Sequence, residues 1–180
     1  MEKPRLQKLY VEEIRSKLLK ELNLSNIMEV PKINKIVLNV GVKEAVDDSK
    51  VLQVVQTAIE KIAGQKTVKT FARKSIAGFK IREDMPIGVK VTLRNVNMYE
   101  FLDRFINLAM PSIRDFQGIK PGFDGRGNLN IGIKEWMIFP ELDLSTFDKM
   151  HGLNVTIETS TNNDKHAFEL LKKFNMPFKK

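Results

Sequence analysis

The sequence contains no cysteine, which excludes disulfides, thiolate-bound zinc and thiol catalysis together. Its two histidines, His151 and His166, stand too far apart in the chain to face one metal from a single helical turn. No apolar run approaches the roughly 18 residues of a membrane-spanning helix. The start, Met1-Glu2-Lys3-Pro4-Arg5, leads into a charged amphipathic segment without the apolar centre of a signal peptide. A soluble, unexported chain in a reducing cytoplasm fits these absences. Glycine-rich phosphate chemistry is missing too: Gly125-Arg126-Gly127 has neither the six-residue glycine spacing nor a following Lys-Ser or Lys-Thr. Those glycines read as turn residues. Asp115 and Asp124 fall in loops with no fixed separation, a poor basis for paired acid and base. The expectation is no catalytic residue, no metal and no cofactor.

What is present is a globular composition, 42% hydrophobic and 29% charged over 180 residues. No repeat, composition break or low-complexity linker divides it, so residues 1–180 read as a single domain. The formal net charge of +8 favours an anionic partner. It is also localised. Residues 61–126 hold thirteen basic side chains against six acidic ones, while the flanking segments are nearly balanced. From Lys61 to Arg82 there are seven cations and no carboxylate.

Hydrophobic spacing predicts a helix over 5–22 (Leu6, Leu9, Tyr10, Ile14, Leu18, Leu22) and a second over 51–62. Asp47, Asp48 and Ser49 are cap candidates for the second, and Gly64 supplies its left-handed end. Asn97 with Glu100 resembles a capping box for a third helix through Leu108, stopped by Pro111. Asn162 or Asn163 opens a last helix through Phe174. Period-two alternation marks strands around 36–42, 88–94, 128–133 and 153–158, with a short one at 66–70. The fold class is α+β: a largely antiparallel sheet with helices on one face and two long functional loops.

If helices cover the apolar face, the other face carries Lys35, Asn39, Gly41, Lys90, Thr92, Arg94, Asn128, Asn130, Gly132, Asn154 and Thr156. Cations for phosphate, with amides, hydroxyls and glycines for close approach, suit docking on an RNA helix. An open sheet also needs a polar outside if it binds nothing. Paired stacking aromatics are absent, which makes single-strand reading the weaker mode. Phe71 to Ile87 is a long cationic segment read as an extended arm. Pro111 to Gly127, rich in glycine, is either a second contact loop or a mobile connector.

The strings themselves are familiar. Val37-Leu38-Asn39-Val40-Gly41, Ile62-Ala63-Gly64-Gln65-Lys66, Arg73-Lys74-Ser75-Ile76-Ala77-Gly78-Phe79, Met85-Pro86-Ile87-Gly88 and Lys90-Val91-Thr92-Leu93-Arg94 follow one another in order. So do Arg114-Asp115-Phe116, Phe123-Asp124-Gly125-Arg126-Gly127-Asn128, Gly132-Ile133-Lys134-Glu135 and Met176-Pro177-Phe178. From about residue 28 to the end the chain resembles the bacterial family of the fifth large-subunit ribosomal protein.

The resemblance implies a non-enzymatic, ribosome-associated protein that binds 5S rRNA and helps attach it in the central protuberance. It also implies contact with P-site tRNA, with a small-subunit head protein at an intersubunit bridge, and with neighbouring large-subunit rRNA and proteins. Carried over by residue, the 5S-facing positions are Asn39, Gly41, Gln65, Lys66, Thr92 and Arg94, joined on the polar face by Lys35 and Lys90. The tRNA arm is Arg73, Lys74, Ser75, Ile76, Ala77, Gly78, Phe79, Lys80 and Arg82. The bridge surface is Arg114, Asp115, Phe116, Gln117 and Gly118. Three positions depart from the family pattern: Thr67 where proline often follows Lys66, Gln117 where a basic residue is common, and Leu129 where an aromatic is common. The alternative is an extra-ribosomal RNA-binding assembly factor of the same fold.

Overall fold

The computed structural model describes residues 3–46, 48–142 and 149–179. Its strands β1 (Ile33–Gly41), β2 (Val68–Phe71), β3 (Pro86–Leu93), β4 (Leu129–Ile133) and β5 (Leu153–Thr159) form an antiparallel sheet in the order β2-β3-β1-β5-β4. From Ile36 in β1, from Val89 in β3, and along β4 and β5, buried apolar side chains alternate with exposed or half-buried neighbours, and Thr159, which ends β5, is polar and buried. This is the alternation expected of a sheet with one covered face. The α+β class read from the sequence is therefore correct. The chain divides into two compact units, Met1–Ile36, Leu93–Ile131 and Thr156–Lys180 forming the first, Val37–Thr92 and Gly132–Val155 the second.

In the first unit, α1 (Arg5–Leu9) and α2 (Arg15–Glu21) are joined by a π-helical turn over Tyr10–Ile14, where the sequence predicts a regular helix. The buried residues Leu6, Tyr10, Ile14 and Leu18 recur every four positions, an interval that drifts by about 40° per step on a 3.6-residue helix. The wider π turn takes up part of that drift. The Tyr10 hydroxyl donates to the Pro31 carbonyl at 3.0 Å, and its ring stacks on Phe174 at 6.1 Å. Arg5 grips the Asp103 carboxylate with both Nε and Nη2, at 3.1 and 2.6 Å.

Helix α4 (Asn95–Arg104) begins two residues before the expected Asn97 cap, with Arg94 at the cap position making no side-chain cap bond. Asn95 takes a left-handed φ of 51° at this corner, which asparagine tolerates better than most residues. Burial pushes the Tyr99 hydroxyl on this helix up to about 12. Helix α5 (Asp164–Lys173) starts where expected: the Asn163 side chain accepts from the Lys165 N–H at 3.0 Å.

In the second unit, α3 (Ser49–Ala63) is capped by Asp48, whose Oδ1 accepts from the Lys50 N–H at 2.8 Å. Of the other cap candidates, Ser49 is the first helical residue and Asp47 lies outside the described residues. Gly64 closes the helix at φ 63° as predicted. Its buried stripe, Leu52, Val55, Ala58, Ile59 and Ile62, shares this unit with the buried strand residues Leu38, Val40, Val89 and Val91. Each larger apolar side chain fully removed from water contributes about 1.5–3 kcal/mol. The short strand β2 starts at Val68 rather than Lys66 and pairs antiparallel with β3, Val68 opposite Lys90 and Thr70 opposite Gly88. Gly88 is demanded by this packing, because a Cβ there would lie 2.7 Å from the Val40 carbonyl and 2.8 Å from the Thr70 hydroxyl.

Candidate nucleic-acid interface

Asn39 and Gly41 of β1 and Lys90 of β3 are exposed, and Thr92 is half-buried, on strands that neighbour each other in the sheet. Gln65 and Lys66 follow α3 in the same unit, both exposed. The Gln65 amide donates to the Thr92 carbonyl at 3.2 Å, so the turn after α3 is tied to β3. A second tie comes from Glu60: its Oε1 accepts from the Thr67 backbone N–H at 3.1 Å and from the Thr67 hydroxyl at 3.3 Å. The first of these bonds holds the Glu60 carboxyl below its ordinary range. A proline at position 67 has no N–H to give, so the Thr67 departure carries its own local replacement for a stiff ring. The sequence holds no signal for Glu60, because the bond spans a helix end and a turn.

Gly41 needs no glycine for folding. A Cβ there meets nothing within 4 Å, and its φ is not left-handed. Among the described residues the side chains of Asn39 and Lys90 make no intramolecular hydrogen bond or ion pair. The polar row of the first unit differs. Lys35 is paired with Glu158 at 2.7 Å, Thr156 donates to Asn130 at 2.8 Å, and Asn128 is held by Asp124. Arg94, also of this unit, is exposed at the start of α4. The row expected from the sequence thus has two parts: an open stretch in the second unit, and a stretch in the first where, among the described residues, only Arg94 presents an unpaired cation. The pairing of Lys35 follows from Glu158 lying on the same face, a carboxylate that the row of polar positions leaves out.

The arm is more ordered than a long loop implies. Strand β3 begins at Pro86, so the excursion covers 72–85. At its base the Ala72 N–H donates to Met85 at 2.9 Å and the Asp84 N–H to Ala72 at 3.0 Å. Further out Ile76 and Ile81 exchange backbone bonds of 2.9 and 3.2 Å across a 3-10 turn over Ala77–Phe79. Residues Arg73 to Lys80 and Arg82 are all exposed. Phe79 is 69% exposed. Among the described residues Arg73, Lys74, Lys80 and Arg82 form no salt bridge.

The 111–127 segment is hydrogen-bonded at several points. The Ile119 N–H donates to Pro177 at 2.8 Å and the Lys179 N–H to Ile119 at 2.9 Å. Gln117 accepts from the Lys179 ammonium at 3.1 Å, a tether that a basic residue at 117 could not accept. Gly118 is locked between, since a Cβ would lie 2.7 Å from the Lys179 nitrogen. Arg114 and Asp115 stand exposed beside it, with Phe116 half-buried. Farther along, Asp124 accepts from the N–H groups of Arg126 and Asn128 at 2.8 and 3.1 Å and from the Asn128 amide at 2.8 Å. That amide bond first, then the backbone bonds, draws the Asp124 carboxyl below its usual range. A Cβ on Gly127 would overlap the Thr161 carbonyl. Asp124 is a turn residue whose side chain, among the described residues, accepts only from Arg126 and Asn128. The third departure, Leu129, is fully buried.

His151 lies edge-on to Trp136 at 5.0 Å, and desolvation pulls its imidazole below the usual range. Among the described residues no group of three or more His, Asp or Glu could hold a metal. No helix among them is long and apolar enough to cross a membrane.

Comparison with known sequences places this geometry in a family. Residues 26–82 match the family described as Ribosomal protein L5, and residues 86–178 match the C-terminus described for the same ribosomal family. The Large ribosomal subunit protein uL5 of Leptospira biflexa serovar Patoc, under two designations of strain Patoc 1, is 52% identical over 177 residues. That alignment covers 98% of this chain and 97% of the relative. The chain belongs to the ribosomal protein L5 (uL5) family, and is a structural component of the large ribosomal subunit, not an enzyme, that serves translation on the ribosome among rRNA and other ribosomal proteins.

Proposed function

We propose that this protein binds 5S rRNA through the polar face of β1 and β3, with Gln65 and Lys66 beside it, and helps attach that RNA in the central protuberance. The arm from Arg73 to Arg82 contacts the P-site tRNA, and the Arg114–Gly118 segment meets a small-subunit head protein at an intersubunit bridge. The observation that carries the first assignment is Gly41. It is glycine where neither space for a Cβ nor backbone conformation requires one, near exposed Asn39 and Lys90, whose side chains are unspent among the described residues. Such a surface accepts a phosphate–ribose backbone at close range.

Salt dependence tests the assignment cation by cation. Log affinity for 5S rRNA falls linearly with log salt, and Lys90→Ala and Arg94→Ala each flatten the slope by about 0.7–0.9, one phosphate contact apiece. Lys35→Ala flattens it less, because Glu158 already balances that ammonium. The measurement is filter binding or fluorescence anisotropy across salt concentrations from about 50 to about 300 mM. An unchanged slope in both Lys90→Ala and Arg94→Ala removes the face from the RNA interface.

A further inference from the structure

A groove of about 710 Å³ opens between the arm and the end of β1. Val42, Val46, Ile81 and Ile87 give it apolar walls, and the exposed Phe79 also lines it. Lys43 and Lys80 flank it, and its two glycines are Gly41 and Gly78. Its size falls in the range of small-ligand pockets.

The side chains around this groove run against backbone economy. Gly78 has no left-handed φ and open space where a Cβ would go. Lys80, two residues on, holds a left-handed φ of 55°, a conformation that glycine adopts at no cost and a lysine only with strain. The chain keeps glycine where a Cβ has open space and lysine where glycine would be easier. Gly41, at the end of β1, repeats the first half of that pattern. Folding explains neither choice. Both follow if something outside the chain needs room at 41 and 78 and a cation at 80.

The occupant must be flat and apolar enough for the walls, able to stack on Phe79, and joined to negative charge within reach of Lys43 and Lys80. We infer that the groove receives one unstacked nucleobase of a bound RNA, its flanking phosphates held by the two lysines. Stacking of a base on an aromatic ring is sequence-tolerant, since every base has a π face, so the inference names no particular base. It deepens the tRNA-contact reading of the arm and rests on it.

The test uses the full-length protein and a short single-stranded RNA, about five nucleotides to match the site sizes of single-strand binders, intact or with an abasic central residue, followed by anisotropy. The intact oligonucleotide binds about five- to a hundredfold more tightly than the abasic one, the range for one base stacked on an aromatic ring. Phe79→Ala abolishes that difference, Phe79→Trp keeps it, and Gly78→Val shrinks it, all with unchanged thermal unfolding. Equal affinity of the two oligonucleotides for the wild-type chain overturns the inference. So does a difference that survives Phe79→Ala. Ribosomes carrying a shortened arm separate this outcome from the parent reading: tRNA release that stays normal removes the tRNA contact, whereas an absent abasic effect with faster tRNA release removes only the base pocket.

Discussion

Replacing Lys74–Lys80 with a short Gly-Ser turn is expected to speed tRNA release from the P site at least about tenfold while 5S rRNA binding stays within about twofold. The change removes two of the arm's four unpaired cations together with its tip. A charge-assisted hydrogen bond is worth about 1.5–3 kcal/mol, so even one lost contact reaches tenfold, and such losses show mainly in dissociation. The fold survives because the arm closes at its base through Ala72, Asp84 and Met85, inward of the deleted residues, and shortening a surface loop costs little closure entropy. The measurements are tRNA dissociation from ribosomes assembled with each protein, and 5S affinity of each purified chain. Loss of 5S binding with normal tRNA release would reverse the two assignments.

The second large effect separates binding from folding with two glycines on neighbouring strands. Gly41→Leu is expected to weaken 5S binding at least about tenfold with an unchanged melting temperature, since one lost contact of the size above is enough. The new Cβ enters open space, with no atom of the described residues within 4 Å. Gly88→Ala is expected to do the opposite, destabilising by about 1–3 kcal/mol through overpacking against the Val40 carbonyl and the Thr70 hydroxyl. Thermal unfolding followed by circular dichroism, beside 5S titration, checks both. A Gly41→Leu protein that binds normally would mean that no RNA approaches that strand.

These contrasts show where the sequence is sufficient. Alternation in Ile36, Leu38 and Val40 locates β1 and its buried face because one covered side of a sheet imposes period two. Gly64 announces the end of α3 because a left-handed residue is needed there. The start of α4 lies two residues ahead of its expected cap, since Asn95 turns the corner with its own backbone and no side-chain cap marks the site. Contacts between distant segments are beyond the reach of local pattern. Nothing in 111–127 reveals that the C-terminal tail at Pro177 and Lys179 holds it, and Lys35 reads as a free cation until Glu158 is seen beside it. The groove beside the arm is a property of how 41–46 and 77–87 come together, so only its glycines, not its shape, are visible in the chain.

Because the chain has no cysteine, a single introduced thiol can report which RNA lies against the open polar face. A single cysteine introduced as Asn39→Cys, on the open polar face, and another as Val54→Cys, on the exposed side of α3, each carry a short thiol-linked photocrosslinker at one known position. Large subunits assembled with either protein are irradiated, and the RNA attached to the chain is identified. 5S rRNA is expected to crosslink from position 39 and not from position 54; a 5S crosslink from position 54 with none from position 39 would place the RNA on the helix side instead of the polar face.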